Sequence, residues 1–305
     1  MELRQLEYFK TICDELHFTR AADKLGVTQP TLSHQIKALE DELGIPLFDR
    51  IGKKIAITAA GSILYTHACT IFNVMHSAKE QLEELQDGER GTITIGSLPG
   101  ELNHLVSLLL VEFNRQFPKI KIRIVAAENV IDPILQNEMD IAVTILPIED
   151  DRLEHIPLYE EQFYLTVPAG HPLADSPSVE FAEVQKLPII MFPKEHRCRQ
   201  LIDASCSTSG FSLEPFIETN TIDSIFSLIK SGAGVSVLSK SLIHLYNDGS
   251  IRAIPIIHPV LVRQVAVIHN RGKFLSQPVK AYLSMLQEFV LEKGIGDSAF
   301  QSVSK

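Results

Sequence analysis

Phe18-Thr19-Arg20-Ala21-Ala22-Asp23-Lys24-Leu25-Gly26-Val27-Thr28-Gln29-Pro30-Thr31-Leu32-Ser33-His34-Gln35-Ile36-Lys37 is the stretch on which the reading of this chain turns. Thr19 fits an N-cap for a short helix with Ala21, Ala22 and Leu25 inward, and Gly26 stops it. Thr28 is a second N-cap, and Pro30 falls in the next first turn, where its missing N–H costs nothing. From Leu32 the steps to Ile36, Leu39 and Leu43 are four, three and four, a buried helical stripe ended by Gly44. The opposite face carries Pro30, Thr31, His34, Lys37 and Asp41, with Gln29 leading and Ser33 flanking. Upstream, Leu3, Leu6, Phe9, Ile12, Cys13 and Leu16 make one more apolar helix face. A short helix, a tight turn and a helix with a polar N-terminal end form a helix-turn-helix, whose second helix fits a major groove. Gln29, Ser33 and His34 suit base edges, while Thr31, Lys37 and the helix amides suit phosphates. Leu47 and Phe48 then pack down. Arg50 to Thr58 reads as a β-hairpin wing with Gly52 at its tip and Lys53 and Lys54 toward the flanking DNA backbone. A small helical core with a solvated face would show much of the same pattern.

Charge decides part of that choice. The chain has 305 residues and a net charge of −10, which by itself argues against nucleic acid. Its distribution removes the objection: residues 1–58 carry −1, residues 59–90 carry −3, and residues 91–305 carry −6. Two basic groups stand out in the first segment, Arg20, Lys24 and Lys37 against Asp23, and Arg50, Lys53 and Lys54. Local charge is what phosphates feel, because salt screens beyond about 8 Å. A composition with 45% hydrophobic and 22% charged residues fits a globular chain of more than one unit. No apolar run suits a membrane span, and the polar Met1-Glu2-Leu3-Arg4-Gln5 leads into no secretory signal. Cys13, Cys69, Cys198 and Cys206 are too scattered for a disulfide framework. A cytoplasmic protein is expected.

Beyond Thr58 the chain predicts one long helix to about residue 86. Leu64, Ala68, Ile71, Met75, Ala78, Leu82 and Leu85 step by four and three throughout, an unbroken heptad seam. Such a helix is about 42 Å long, too long to bury against 58 residues, so the seam points to dimerisation. Packing within one globule is the alternative. Asp87-Gly88-Glu89-Arg90-Gly91 reads as a hinge.

From residue 92 strands and helices alternate. Strands are expected at 92–96, 120–124, 141–146, 162–167, 188–192, 216–218, 235–238 and 264–269. Helices are expected at 102–117, 131–137, 197–206, 222–230 and 275–291. Repeated strand–helix units predict open α/β sheets, which bind ligands beyond strand carboxyl ends.

The stretches Phe18-Thr19-Arg20-Ala21-Ala22, Gln29-Pro30-Thr31-Leu32-Ser33, Leu39-Glu40, Leu43-Gly44, Leu47-Phe48-x-Arg50 and Thr58-x-x-Gly61 resemble the N-terminal signature of LysR-type transcriptional regulators. The resemblance implies an α/β chain with an N-terminal winged helix-turn-helix (1–58), a dimerising linker helix and hinge (59–90), and an effector domain (91–305) of two lobes like a periplasmic binding protein. Lobe one would be 91–161 with 267–295, lobe two 162–266, and the effector cleft would lie between them. Residues 18–37 would be the helix-turn-helix proper, so Phe18, Thr19, Arg20, Thr28 and Pro30 join the DNA-binding set. Implied partners are a double-stranded operator with inverted-repeat half-sites, a small-molecule effector, RNA polymerase, and the chain itself as a dimer or homotetramer in a bacterial cell. His34 stands where the family often has Arg. Pro99 and Glu128 replace the small polar residues many relatives carry.

Strand-to-helix turns supply the cleft candidates. Ser97, Leu98, Pro99 and Gly100 open a helix whose amides suit an anion. Glu128 and Asn129 occupy the next turn, and Asn220 and Thr221 a third. Arg197 or Arg199 could pair with an anionic effector. Capping accounts equally well for most of these residues. Cys198 and Cys206, close to the spacing of peroxide-sensing family members, leave a redox switch open, with His196, Arg197 and Arg199 placed to lower the pKa of Cys198. The sequence holds no G-x-S-x-G elbow, H-E-x-x-H, Walker loop or G-x-G-x-x-G, so no enzyme activity, cofactor or metal is expected. A bare solute-binding protein would leave the first 90 residues unexplained.

Overall fold

The computed structural model describes residues 1–51, 54–87, 91–101, 105–246 and 248–299, which divide into two units, Met1–Leu82 and Glu83–Lys305. Gly52, Lys53, most of the hinge, and the expected start of the helix at 102 lie outside the described residues. No helix among those described is long and apolar enough to cross a membrane.

In the first unit, α1 (Leu3–Glu15), α2 (Phe18–Leu25) and α3 (Gln29–Leu43) enclose Phe9, Ile12, Ala21, Leu32, Ile36 and Leu39. The cap of α2 differs from expectation. His17, not Thr19, precedes the helix, and its imidazole accepts from the Arg20 amide at 3.4 Å. Thr28 caps α3 as expected, accepting from the Thr31 amide at 3.4 Å. The wing is β1 (Phe48–Ile51) against β2 (Lys54–Ile57), antiparallel with Phe48 opposite Ile57. Glu40 fastens it, its carboxylate accepting from the amides of Leu47 at 2.7 Å and Phe48 at 3.2 Å.

Thr58 opens α4 (Ala59–Asp87), accepting from the Gly61 amide at 3.0 Å and donating to the Pro46 carbonyl at 2.8 Å. A Cβ at Gly61 would stand 2.3 Å from the Leu47 carbonyl oxygen, so only glycine lets this helix leave the wing so closely.

The second unit starts with β3 (Gly91–Ser97), the single turn α5 (Pro99–Glu101) and α6 (Ser107–Gln116). Next come β4 (Ile120–Ala126), α7 (Ile131–Leu135) and β5 (Ile141–Leu146). Strand β3 pairs in parallel with both β4 and β5. The strand expected at 162–167 is only the end of β6 (Leu153–Pro168), 16 residues long. Then follow β7 (Val179–Glu180), a 3-10 turn over Phe181–Lys186, β8 (Ile190–Met191), α8 (Arg197–Thr208), β9 (Ile217–Glu218) and α9 (Ile222–Lys230). The chain closes with β10 (Ser236–Ser239), α10 (Lys240–Tyr246), β11 (Ile251–Ile257), β12 (Val262–Asn270), α11 (Gln277–Lys293) and β13 (Ser298–Ala299). The sequence pattern did not anticipate β7, the 3-10 turn, α10, β11 or β13.

The main sheet runs β4-β3-β5-β12-β6-β11-β7, with β10 and β13 also on β6. β6 ties the two lobes together. Its first ten residues pair with β12, and its last residues pair with β10 and β11. Phe113, Val267 and Tyr282 pack in one lobe's core, while Leu165, Phe181 and Ile254 pack in the other's.

Candidate functional site

In the first unit the polar end of α3 is presented to solvent. Thr28, Gln29, Pro30, Thr31, His34 and Lys37 are exposed and Ser33 is half-buried. The Gln29 amide donates to the Ser33 hydroxyl at 2.8 Å, and the hydroxyls of Thr28 and Thr31 are 2.9 Å apart. This pre-orients four of the expected contact residues at the N-terminal end of α3. Thr19 and Arg20 are exposed at the start of α2, where Arg20 donates to the Glu15 carbonyl at 2.9 Å. Phe18 is placed differently: its ring meets Phe48 edge-on at 5.9 Å, so it packs the core beneath the helix-turn-helix. Arg50 and Lys54 lie on the two wing strands, and Lys53 lies outside the described residues.

The heptad seam divides. Leu64 packs on the DNA-binding core and Ala68 is fully buried there, so the first turns of α4 belong to the first unit's own interior. Ile71 is half-buried, Met75 is 48% exposed and Leu82 is 62% exposed. Ala78 is exposed, and Leu85 lies on the same helix.

The second unit holds a cavity of about 380 Å³ between its lobes. Its walls include Leu98, Pro99 and Gly100 after β3, Glu128 after β4, and Asn220 and Thr221 before α9, all expected from the sequence. Buried Leu98, Ile145, Phe192 and Leu242 make its floor apolar. Thr221 also caps α9, accepting from the Ser224 amide at 3.3 Å.

Four expected residues serve other ends and are absent from the described lining. Ser97 is fully buried, its hydroxyl donating to the Leu98 carbonyl at 3.0 Å. Asn129, just before α7, accepts from the Ile131 amide at 3.1 Å. Arg197 reaches across the lobes to the carbonyls of Ile145, at 3.0 Å, and Pro147. Arg199 is buried, bound to Asp203 at 2.8 Å and to the Phe192 carbonyl at 3.0 Å. The two arginines expected to meet an anion are therefore committed to the protein itself.

Sequence reading missed a buried charged cluster in the cavity wall. Arg263, on β12, is almost wholly buried, with Glu101 at 2.8 Å on one side and Glu161 on the other. Glu161 also accepts from the Ser241 amide and hydroxyl, both at 2.8 Å, and Tyr159 donates to Glu101 at 3.1 Å. A guanidinium between two carboxylates satisfies donors and acceptors that burial would otherwise penalise. Its members lie far apart in the chain, so no local spacing announces them.

His196 forms part of the wall. Its ring stacks on Phe192 at 3.8 Å, and its Nδ1 accepts from the Cys198 amide at 3.2 Å, capping α8. Burial, helped by the nearby Arg263 charge, pushes its pKa down to about 4, so the imidazole is neutral. Burial drives the thiols the opposite way from the expected activation: Cys198 and Cys206 are both pushed up to about 11. The side chains of Arg197 and Arg199 are spent on carbonyls and on Asp203, and Arg263 Nη1 donates to the Cys198 sulfur at 3.6 Å.

The family described as "Bacterial regulatory helix-turn-helix protein, lysR family" matches residues 3–62, and "LysR substrate binding domain" matches residues 86–290. The chain is 29% identical over 292 residues to the transcriptional dual regulator GltC of Bacillus subtilis (strain 168), spanning 95% of this chain and 97% of that protein. It is 26% identical over 296 residues to the hydrogen peroxide-inducible genes activator of Dickeya chrysanthemi, spanning 96% and 95%. The solved structure of a full-length OxyR variant from Pseudomonas aeruginosa superimposes at a TM-score of 0.73 with 25% identity, covering 100% of this chain and 99% of that one. The exposed polar end of α3, the inter-lobe cavity and both domain matches agree, and the chain belongs to the LysR family of transcriptional regulators, a helix-turn-helix DNA-binding protein with an effector-binding domain.

Proposed function

We propose that residues 1–58 read an operator of inverted-repeat half-sites, that 59–90 pair two chains, and that 91–305 gate this grip in response to a small molecule held between the lobes. The observation that carries the reading is exposed Gln29 held by its hydrogen bond to half-buried Ser33 at the start of α3. Gln29, Ser33 and His34 meet base edges, while Thr19, Arg20, Thr28, Thr31, Lys37 and the wing's Arg50, Lys53 and Lys54 meet phosphates. Leu98, Pro99, Gly100, Glu128, Asn220 and Thr221 contact the effector. Arg197 joins the lobes that form the cleft, while Ser97, Asn129 and Arg199 support the turns and helix around it. Pairs of dimers assemble as a tetramer in the cytoplasm and act on RNA polymerase at the promoter.

The near-neutral DNA-reading segment supports weak, salt-sensitive non-specific binding, so specificity rests on paired heads about 34 Å apart. The test selects a site from random-sequence DNA with the full chain, then footprints Gln29→Ala and Ser33→Ala on it. Loss of the footprint with an unchanged circular dichroism spectrum is the expected result. Retained operator affinity would refute the assignment of α3 as the recognition helix.

A further inference from the structure

The cavity is apolar at its floor and acidic at its rim. Glu128, beyond β4 of one lobe, and Asp223, in the first turn of α9 of the other, both line it. Among the described lining residues the permanent cation is Arg263, and two carboxylates already take up its guanidinium. His196 stands 3.7 Å from Glu128, but it is the neutral, stacked imidazole described above and offers no counter-charge. Arg197 and Arg199, the arginines adjoining this wall, are bound to backbone carbonyls and to Asp203. The N-termini of α8 and α9 would favour an anion, but His196 and Thr221 already cap them, and Asp223 adds a negative charge to the second.

Lobe closure would bring Glu128 and Asp223 toward a common enclosed space, with their hydration reduced. Like charges in such a space repel, and a cation placed there removes the repulsion and favours closure. Glu128 is already 41% exposed rather than fully solvated, and its burial raises its pKa, as expected for a carboxylate lacking a charged partner.

We infer that the effector is a small organic cation, an amine whose apolar body rests on Leu98, Ile145 and Phe192 and whose ammonium group meets Glu128 and Asp223. This rests on the reading that the inter-lobe cleft is the effector site, and it reverses the anion expected from the sequence. A volume of about 380 Å³ suits a body the size of one substituted ring.

The test is a thermal-shift and calorimetry series on the full-length chain with one phenylalkyl body and three head groups: 2-phenylethylamine, 3-phenylpropionate and 2-phenylethanol. The amine should raise the melting temperature and bind at least tenfold more tightly than the other two. Glu128→Gln should remove most of that preference, with Asp223→Asn as a second variant should Glu128→Gln fold poorly. Equal or tighter binding of the carboxylate, no binding of the amine, or an amine preference that survives both variants would overturn the inference. Ala126→Trp, which fills the mouth, separates this from the underlying reading. If any head group's binding is lost in that variant, the cleft remains the effector site even where the cation fails. If a ligand still binds, the cleft reading itself is wrong.

Discussion

Arg263 Nη1 lies 2.8 Å from Glu101 Oε1, joining strand β12 to the single helical turn after β3. The same guanidinium donates through Nε to Glu161 at 2.7 Å, so one buried cation holds two carboxylates, one from a helical turn and one from strand β6. Removing it leaves both carboxylates buried against each other. Breaking a buried pair from one side costs about 3–5 kcal/mol, whereas replacing the whole group by uncharged residues is often neutral. Arg263→Met should lower stability to urea unfolding by roughly that amount. The triple variant Arg263→Met, Glu101→Gln, Glu161→Gln should regain most of it. A single variant within about 1 kcal/mol of the parent would show that the cluster is not held as an ion network.

Cys198 and Cys206 should be inert to peroxide. Both are buried, and burial pushes each thiol up to about 11, so the nucleophilic thiolate is scarce near neutrality. They also lie on one helix, eight residues apart, a rise of about 12 Å at ~1.5 Å per residue. A disulfide needs Cα atoms within about 7 Å, so bridging them requires unwinding α8. After mild peroxide, thiol titration in denaturant should recover both, and operator affinity should not change. Loss of two thiols together with altered DNA binding would establish a redox switch. The raised values carry a pH sign as well. An unfolded thiol ionises near ~8.5, so this contribution to stability is complete below that pH and is lost as pH rises toward 11.

Much of this architecture could be read locally, where a cap and a helical stripe occur together. Thr221 and the Ile225, Phe226, Ile229 stripe define α9 as expected, and Thr28 with Leu32, Ile36 and Leu39 defines α3. β6 could not be read so. Glu160 and Glu161 interrupt its apolar pattern, and its pairing with β12 shifts register between Val265 and Ala266. Glu161 reads as a surface residue until Arg263, 102 positions later, supplies its charge partner. The same holds for the cavity. Turns between strand and helix located Leu98, Glu128 and Thr221, but Phe192, His196 and Asp223 join them only through the folding of one lobe on the other. Arg197 and Arg199 carried the right charge for an anion, yet nothing in their spacing told that backbone carbonyls would claim them.

His196 should make the effector domain acid-sensitive. Its pKa is pushed down to about 4 by burial and by Arg263, while an unfolded histidine titrates near ~6.5. The neutral form is favoured on folding, so its contribution is fully present above pH ~6.5 and is lost as pH falls toward 4. Across that window the loss is roughly 3 kcal/mol, since the side chain is only 12% exposed. Protonating Nδ1 also forfeits the cap on the Cys198 amide. His196→Asn, which can still cap α8, should flatten the fall in stability between pH 6.5 and 4.5 measured by chemical unfolding. An identical slope in parent and variant would place the acid sensitivity elsewhere.

The divided seam of α4 separates two kinds of linker variant. Ala68 is fully buried and Leu64 packs on the DNA-binding core, so a charge there attacks the first unit's own fold. Met75 and Leu82, 48% and 62% exposed in the single chain, have no such role and are available to a partner helix. Each fully buried side chain of this size contributes about 1.5–3 kcal/mol, and two from each helix give several kcal/mol to pairing. Met75→Glu with Leu82→Glu should therefore weaken dimerisation at least about a thousandfold, at ~1.4 kcal/mol per factor of ten. Sedimentation equilibrium should find monomers whose helical content and melting temperature remain close to those of the parent at equal chain concentration in its dissociated range. Ala68→Glu should instead lower the melting temperature of the DNA-binding unit itself. A double variant that sediments at the parent's mass would move the dimer contact off this helix. Operator affinity should fall with the dimer, because each head alone reads only one half-site.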